Sequence, residues 1–298
     1  MILIIVNKFI AKCVLLICSI YFFSSGVLAC NLAIGLSSDF SPYHAKNSAQ
    51  RWEGLTVDLT QILVELAGCS LNLVEAPWAR SIRLLQSGDI QLISHFTISS
   101  ERSKYSQYLG PNHIEKVAFI AKNSISGDVT HPNLLPNFEG SIGITRGDEF
   151  GAEFNQYVLD ADKVKNKLVN IKNNQDRVAM LLKGRLDGMF LDEMSARRLL
   201  ESSLTLKQDY SVRFTFQGTP VYWGVSHDYV PMDIRKKLNQ AWLYMLEQKM
   251  IEPLYKKYGL TIDNRILELV SLLDEEGHSI SPPLLKTAKK TLMDSALR

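Results

Sequence analysis

Apolar positions along this chain fall into short runs, and the spacing switches repeatedly between a period of two and a period near 3.6. Thr56 to Ala67 sets Leu59, Ile62, Leu63 and Leu66 on one face, which predicts a helix, and Gly68 stands where a C′ glycine would end it. Strand-like segments flank that helix, Cys30-Asn31-Leu32-Ala33-Ile34 before it and Leu71–Val74 after it. Asp39 to Trp52 is polar, contains Pro42 and has no period, so it reads as loop. Pro77 opens a short helix through Ile82, Leu84 and Leu85; Gly88 closes it, and Ile90–Ile93 follows as a third strand. This β-α-β-α-β order predicts a parallel, doubly wound sheet.

The pattern then restarts. Tyr105–Pro111 is extended and Val117–Ala121 is a strand, while Asn123 to Gly140 is rich in Asn, Pro, Gly and Ser and reads as a surface excursion. Ile142–Thr145 reads as strand, Glu149–Leu159 and Val178–Leu182 as helix, and Met189–Leu191 as strand. Leu84 to Gln91 echoes Leu181 to Asp187, each a helix end, a glycine and the approach to a strand, as two similar α/β halves would produce. Val221–Ser226 is a further strand. Ile234, Leu238, Ala241, Trp242 and Met245 form a helical stripe with Asp233 as its cap, and Pro253 starts a short helix ending at Gly259. An apolar run from Ile266 to Leu273, the break Ser281-Pro282-Pro283 and a basic tail predict an accessory helix and a flexible end over residues 263–298.

Composition bounds the function classes. The 298 residues are 46% apolar and 21% charged, which excludes a disordered chain. A formal charge of +2 gives no electrostatic footprint for nucleic acid. Met1 to Ala29 carries Lys8 and Lys12, an apolar run from Cys13 to Phe23, the small residues Ser24, Ser25 and Gly26, and then Val27-Leu28-Ala29, the layout of a cleaved secretory signal. That run is far below the ~20 residues a membrane span needs. Both lysines leave with residues 1–29, so the mature chain balances 31 basic against 31 acidic residues.

Cys13 and Cys18 leave with the signal, and two chemistries compete for Cys30. Val27-Leu28-Ala29-Cys30 could be a lipoprotein cleavage box. Alternatively Cys30 pairs with Cys69, since each opens a strand and neighbouring parallel strands would set them side by side. Leu28 is large for a lipobox, and lipidation would leave Cys69 as an odd thiol in an oxidising compartment, so the disulfide is favoured. No GxSxG, P-loop, HExxH or CxxC occurs, and His44, His95, His113, His131, His227 and His278 are scattered without metal-ligand spacing. No cofactor and no metal site are expected.

Several spaced pieces together carry a resemblance: Ile34-Gly35 with Phe40-Ser41-Pro42-Tyr43, Trp52 to Leu59, Thr97 to Arg102, Gly143-Ile144-Thr145-Arg146-Gly147, and Leu186 to Asp192. In this order the chain resembles the periplasmic solute-binding proteins of family 3, the amino-acid-binding partners of ABC importers, from about Cys30 to Gly259. The resemblance implies an α/β fold of two lobes of the type II periplasmic-binding kind, each a doubly wound, mostly parallel sheet with flanking helices. Lobe 1 would span residues 30–112 plus 229–262 and lobe 2 residues 113–228, with crossings near Pro111–Ile114 and near His227. It further implies a periplasmic monomer that closes on a small-molecule ligand, an amino acid or similar, and hands it to an inner-membrane ABC permease.

The resemblance also assigns the site. Arg102 matches the arginine that grips a ligand carboxylate, a task suited to a guanidinium fork. Asp192 matches the acid that takes the ligand ammonium, beside its alternative role as a helix N-cap. Phe40 and Trp78 match aromatic walls, and Thr97 and the backbone at Gly147 would donate to ligand oxygens. Departures accompany these matches: Asp148 stands where a hydroxyl residue is frequent and would repel an anionic group unless it caps a helix; His95 and Gln91 replace a small hydroxyl residue and an Asp; and Arg80 adds a second arginine near the aromatic wall. Dehydratases of the cyclohexadienyl type share the fold and would need a general acid, for which His95, Asp148 and Asp192 are candidates. A ligand-sensing partner of a membrane receptor is the third class.

Overall fold

The protein is described by a computed structural model over residues 30–125, 129–202, 204–270, 272–273 and 279–280. The expected signal peptide at residues 1–29, and most of the expected tail, lie outside the described residues. The chain enters with β1 (Cys30–Leu36). The stretch read as loop instead forms a small antiparallel sheet of β2 (Asp39–Phe40), β3 (His44–Lys46) and β4 (Trp52–Glu53). Strands of two or three residues offer too few alternating positions to register as a period. Its backbone is tied to α1 (Leu55–Leu66), for Leu55 N–H donates to Pro42 O and Thr56 N–H to Tyr43 O.

β5 (Cys69–Glu75), α2 (Trp78–Ser87) and β6 (Leu92–Phe96) complete the predicted first unit, and β7 (Ser106–Glu115) follows. β8 (Val117–Lys122), β9 (Ile142–Thr145), β10 (Leu168–Ile171), α3 (Asn174–Leu182), β11 (Gly188–Asp192), α4 (Glu193–Glu201) and β12 (Tyr210–Thr215) build the second. The chain returns through β13 (Thr219–Ser226) and ends in α5 (Met232–Glu247) and α6 (Ile251–Lys257). Two five-stranded sheets result, ordered β5-β1-β6-β13-β7 and β10-β9-β11-β8-β12. β1 and β6 pair in parallel, as do β10, β9 and β11; β13 and β8 run antiparallel to their neighbours. The parallel pairs are those joined by helical crossovers, and the antiparallel ones those where the chain passes between sheets.

That passage differs from the sequence expectation. β7 stays in the first sheet as far as Glu115, opposite Thr219 of β13, whereas Thr215 of β12 already pairs with Ala118 in the second. The crossings therefore lie at Lys116 and at residues 216–218, rather than near Pro111–Ile114 and His227. An apolar run such as Val221–Val225 looks the same whichever sheet receives it, so sequence alone could not assign it.

The internal echo is structural. Gly88 at φ 81° ends α2 before β6, and Gly184 at φ 66° follows α3 before β11, each in the left-handed conformation that a Cβ disfavours. Gln91, one of the noted departures, joins β1 to the end of α2: its amide oxygen accepts from Ala33 N–H at 3.0 Å and its nitrogen donates to Gly88 O at 2.7 Å. Asp233 lies inside the first turn of α5, where an acid favours the helix dipole, and Pro231 takes the cap position. The Glu149–Leu159 helix shrinks to Ala152–Phe154 and a π turn, leaving Glu149 and Phe150 outside any helix. The Asn123–Gly140 excursion is packed, for Leu135 and Phe138 are buried and Phe138 sits edge-on to Phe119 at 5.1 Å. Trp223 and Trp242, at 5.2 Å, anchor α5 to the first sheet. Cys30 and Cys69 form a disulfide, at the starts of the adjacent strands β1 and β5. Within the expected C-terminal segment a single helical turn, Arg265–Glu268, buries Ile266, and Arg265 donates to Gly218 O at 3.1 Å beside the crossing. No helix among the described residues is long and apolar enough to cross a membrane.

Candidate functional site

The carboxyl ends of the strands of both sheets face one cleft, where ligands bind in open α/β sheets. Its volume, mouth included, is ≈ 630 Å³. The first sheet contributes Phe40 and His44 after β1, Trp78 at the start of α2, His95 on β6 and Glu115 at the end of β7. The second contributes Asp148, Glu149 and Phe150 after β9, Arg177 on α3 and Asp192 at the end of β11.

Phe40, Trp78 and Asp192 therefore line the cleft, whereas Arg102, Thr97 and Gly147 are bonded to one another beside it. Arg102 is only 3% exposed. Its Nη1 donates to the hydroxyl of Thr97 and to Thr97 O at 3.2 Å, its Nη2 donates to Gly147 O at 3.2 Å, and its Nε lies 3.3 Å from Glu149 Oε2. The guanidinium stacks 4.4 Å over the Phe96 ring. Gly147 O also accepts from Trp78 Nε1 at 2.9 Å, and Thr97 Oγ1 donates to Glu149 O at 2.7 Å. Residues that sequence similarity would aim at a ligand carboxylate here bind the other lobe's own chain.

Asp148 behaves alike. It caps no helix; its Oδ2 accepts from Thr145 N–H at 3.0 Å and lies 3.4 Å from Arg177 Nη1. Burial raises its carboxyl above the ordinary range, opposed chiefly by Arg177. Both arginines of the site are thus paired with consecutive acids of one loop. Arg177 was not legible as a site residue, because the helical pattern was recognised only from Val178 onward. Arg80 is exposed on α2 and takes no part.

Asp192 is the N-cap of α4 and also lines the cleft. Oδ1 accepts from Met194 and Ser195 N–H, each at 3.0 Å, as the N-cap of α4, and Oδ2 accepts from Tyr43 OH at 3.1 Å. Burial pushes its pKa up to about 7, with Glu115 adding to the rise and the three donors opposing it. Tyr43 OH also meets His113 Nε2 at 2.9 Å. His95 adopts φ 54°; its Nε2 is 3.1 Å from Thr56 Oγ1, and its Nδ1 has no hydrogen-bond partner. Burial holds His95 and His113 down at about 3, so both rings are neutral. Among the described residues no group of His, Cys, Asp or Glu is placed to hold a metal.

Glu115 was missed by the sequence reading. It is 4% exposed, and its Oε1 lies 3.8 Å from His95 Nδ1, beyond hydrogen-bond distance. Burial, with Asp148 adding and Arg102 opposing, pushes its pKa up from 4.5 to about 8. The available signal was a lone acid in His113-Ile114-Glu115-Lys116-Val117-Ala118, where an unpaired charge is costly. Because the folded state holds this proton and the unfolded chain releases it near 4.5, Glu115 contributes stability at low pH that is lost as pH rises toward about 8. The neutral histidines act oppositely, withdrawing stability as pH falls below 6.5. Urea titrations of Glu115→Gln and the parent should therefore diverge in the variant's favour as pH rises from 4.5 to about 8; a pH-independent difference would refute the buried, protonated carboxyl.

Residues 32–261 match the sequence profile of the bacterial extracellular solute-binding proteins, family 3. No curated protein matches the chain. Among solved structures, the P235GK mutant of the arginine-binding protein ArgBP from T. maritima aligns with a TM-score of 0.66 and 20% identity, covering 77% of this chain and 95% of that one. A histidine kinase sensor domain similar to periplasmic binding proteins gives 0.66 and 15%, covering 77% and 96%. The ancestral amino-acid-binding protein AncCDT-1, a precursor of cyclohexadienyl dehydratase, gives 0.62 and 19%, covering 76% and 94%. At these identities the likeness is one of fold.

Proposed function

Since the chain belongs to the bacterial extracellular solute-binding proteins of family 3, we propose that it captures a small polar solute, an amino acid or a related amine, between its two lobes. We place it in the periplasm, delivering the solute to an inner-membrane ABC permease. The observation that carries this reading is the cleft itself, where charged groups from both sheets converge beside the aromatic rings of Phe40, Trp78 and Phe150. Arginine-binding and amino-acid-binding relatives in fold support the solute class.

Mass spectrometry of small molecules released from natively purified protein, followed by a thermal-shift panel of amino acids, amines and organic acids, tests the proposal. A true ligand at a hundred times its Kd should add about 2.7 kcal/mol of stability, and Phe40→Ala should remove most of that gain. A panel without any shift, with nothing co-purifying, would refute the binding role. Glu115 favours one second reading: a buried carboxyl kept protonated near neutral pH is a potential general acid for a dehydratase. Loss of prephenate or arogenate on incubation with the protein would establish that reading instead.

A further inference from the structure

Resting on the cleft as a ligand site, we infer that the bound solute is a small organic amine or guanidine without a carboxylate, seated with its cationic head against Glu115. Two independent features of the cleft lead there.

The first is how the arginines are used. A ligand carboxylate needs a cation with free donors. Arg102 spends its donors on Thr97, Gly147 O and the Glu149 carboxylate. Arg177 faces the Asp148 carboxylate and the Asn174 side chain, which leaves only its Nε unpartnered. The dipeptide Asp148-Glu149 thus brings two carboxylates to the arginines from within the chain. An incoming carboxylate would have to displace one of them and lie beside it, at the repulsion that two like charges carry in a poorly hydrated site.

The second is the acid left over. Asp148, Glu149 and Asp192 each have a cationic or N–H partner, and Asp39 accepts from Gln175 N–H at 2.6 Å. Glu115 is nine-tenths buried and lines the cleft, its carboxyl has no hydrogen-bond partner among the described residues, and neutral His95 beside it has an unpartnered Nδ1. Asp192 lies close enough to feel its charge. An ammonium or guanidinium supplies the donors and the positive charge this acid lacks. The rings of Phe40, Trp78 and Phe150 line the same cleft and suit the alkyl or aromatic stem of such a cation.

Matched pairs test this directly: agmatine against arginine, putrescine against ornithine, and tyramine against tyrosine, titrated calorimetrically into the full mature protein. The expected result is that at least one amine binds at least about tenfold more tightly than its carboxylated counterpart. Glu115→Gln should weaken that amine by about tenfold or more. Glu149→Gln, which frees the charge of Arg102, should narrow the gap within the pair. Tighter binding of the carboxylated members, or amine binding unchanged in Glu115→Gln, would overturn this inference while leaving the solute-binding role intact. Silence from every pair, together with no co-purified molecule, would overturn both.

Discussion

Replacing Arg177 with Met is expected to cost the folded protein about 3–5 kcal/mol. The guanidinium is 2% exposed, and its charge is what offsets the buried carboxylate of Asp148, already raised by desolvation. Removing it leaves an acid that must either stay charged in a poor solvent or take up a proton. Asp148→Asn in the same chain removes the stranded charge and should recover most of the loss, so the two substitutions are strongly non-additive. Urea denaturation of the parent, both single variants and the double variant measures this coupling. Additive effects, or a single-variant loss below about 1 kcal/mol, would mean that the pair carries no more than an exposed one.

The second large effect belongs to the disulfide. On the chain-entropy account, a bond joining Cys30 to Cys69 closes a loop of roughly 40 residues and contributes about 4 kcal/mol. The double variant Cys30→Ser, Cys69→Ser should lose stability of that order, and reduction of the parent should reproduce it. Both measurements require ligand-free protein, because a bound solute would add its own increment. A Cys30 carrying a lipid thioether in material from the native host would contradict the pairing, since one sulfur cannot make both bonds.

Where strands and helices are long enough to show a period, the sequence was a good guide. Ile234, Leu238, Ala241, Trp242 and Met245 on α5 are buried as the stripe predicted, whereas on α1 Leu59 and Leu63 are buried, Ile62 is half-buried and Leu66 is exposed, with Val64 turned inward in its place. The cysteine pair was legible because each residue opens a strand. The Asp39–Glu53 sheet was not, since its strands depend on backbone pairing with one another and on docking against α1. The site divides similarly. Phe40, Trp78 and Asp192, to which the family resemblance pointed, line the cleft, but the partners of Arg102 were not legible. Glu149 reaches it across the cleft, 47 positions on in the chain, and no local pattern encodes that meeting. Glu115 and Arg177 escaped because their chemistry comes from what surrounds them in space. Asp192 shows why a choice between cap and ligand group could not be made from sequence: one oxygen caps α4 while the other faces Tyr43.

The two crossings between the sheets have a mechanical consequence. Glu115 pairs with Thr219 on one side and Ala118 with Thr215 on the other, and Phe216 N–H donates to Val117 O at 2.8 Å between them. The two crossings are thus adjacent and hydrogen-bonded to each other, so that a bend at one strains the other. Glu115 adjoins the first of them. Any bend that parts the lobes admits water to its carboxyl and relieves the desolvation that holds the proton there. A bend that wets this carboxyl should therefore favour loss of its proton, and so become easier as pH rises. The divergence between the parent and Glu115→Gln with pH measures how much stability this protonated carboxyl carries in the folded chain.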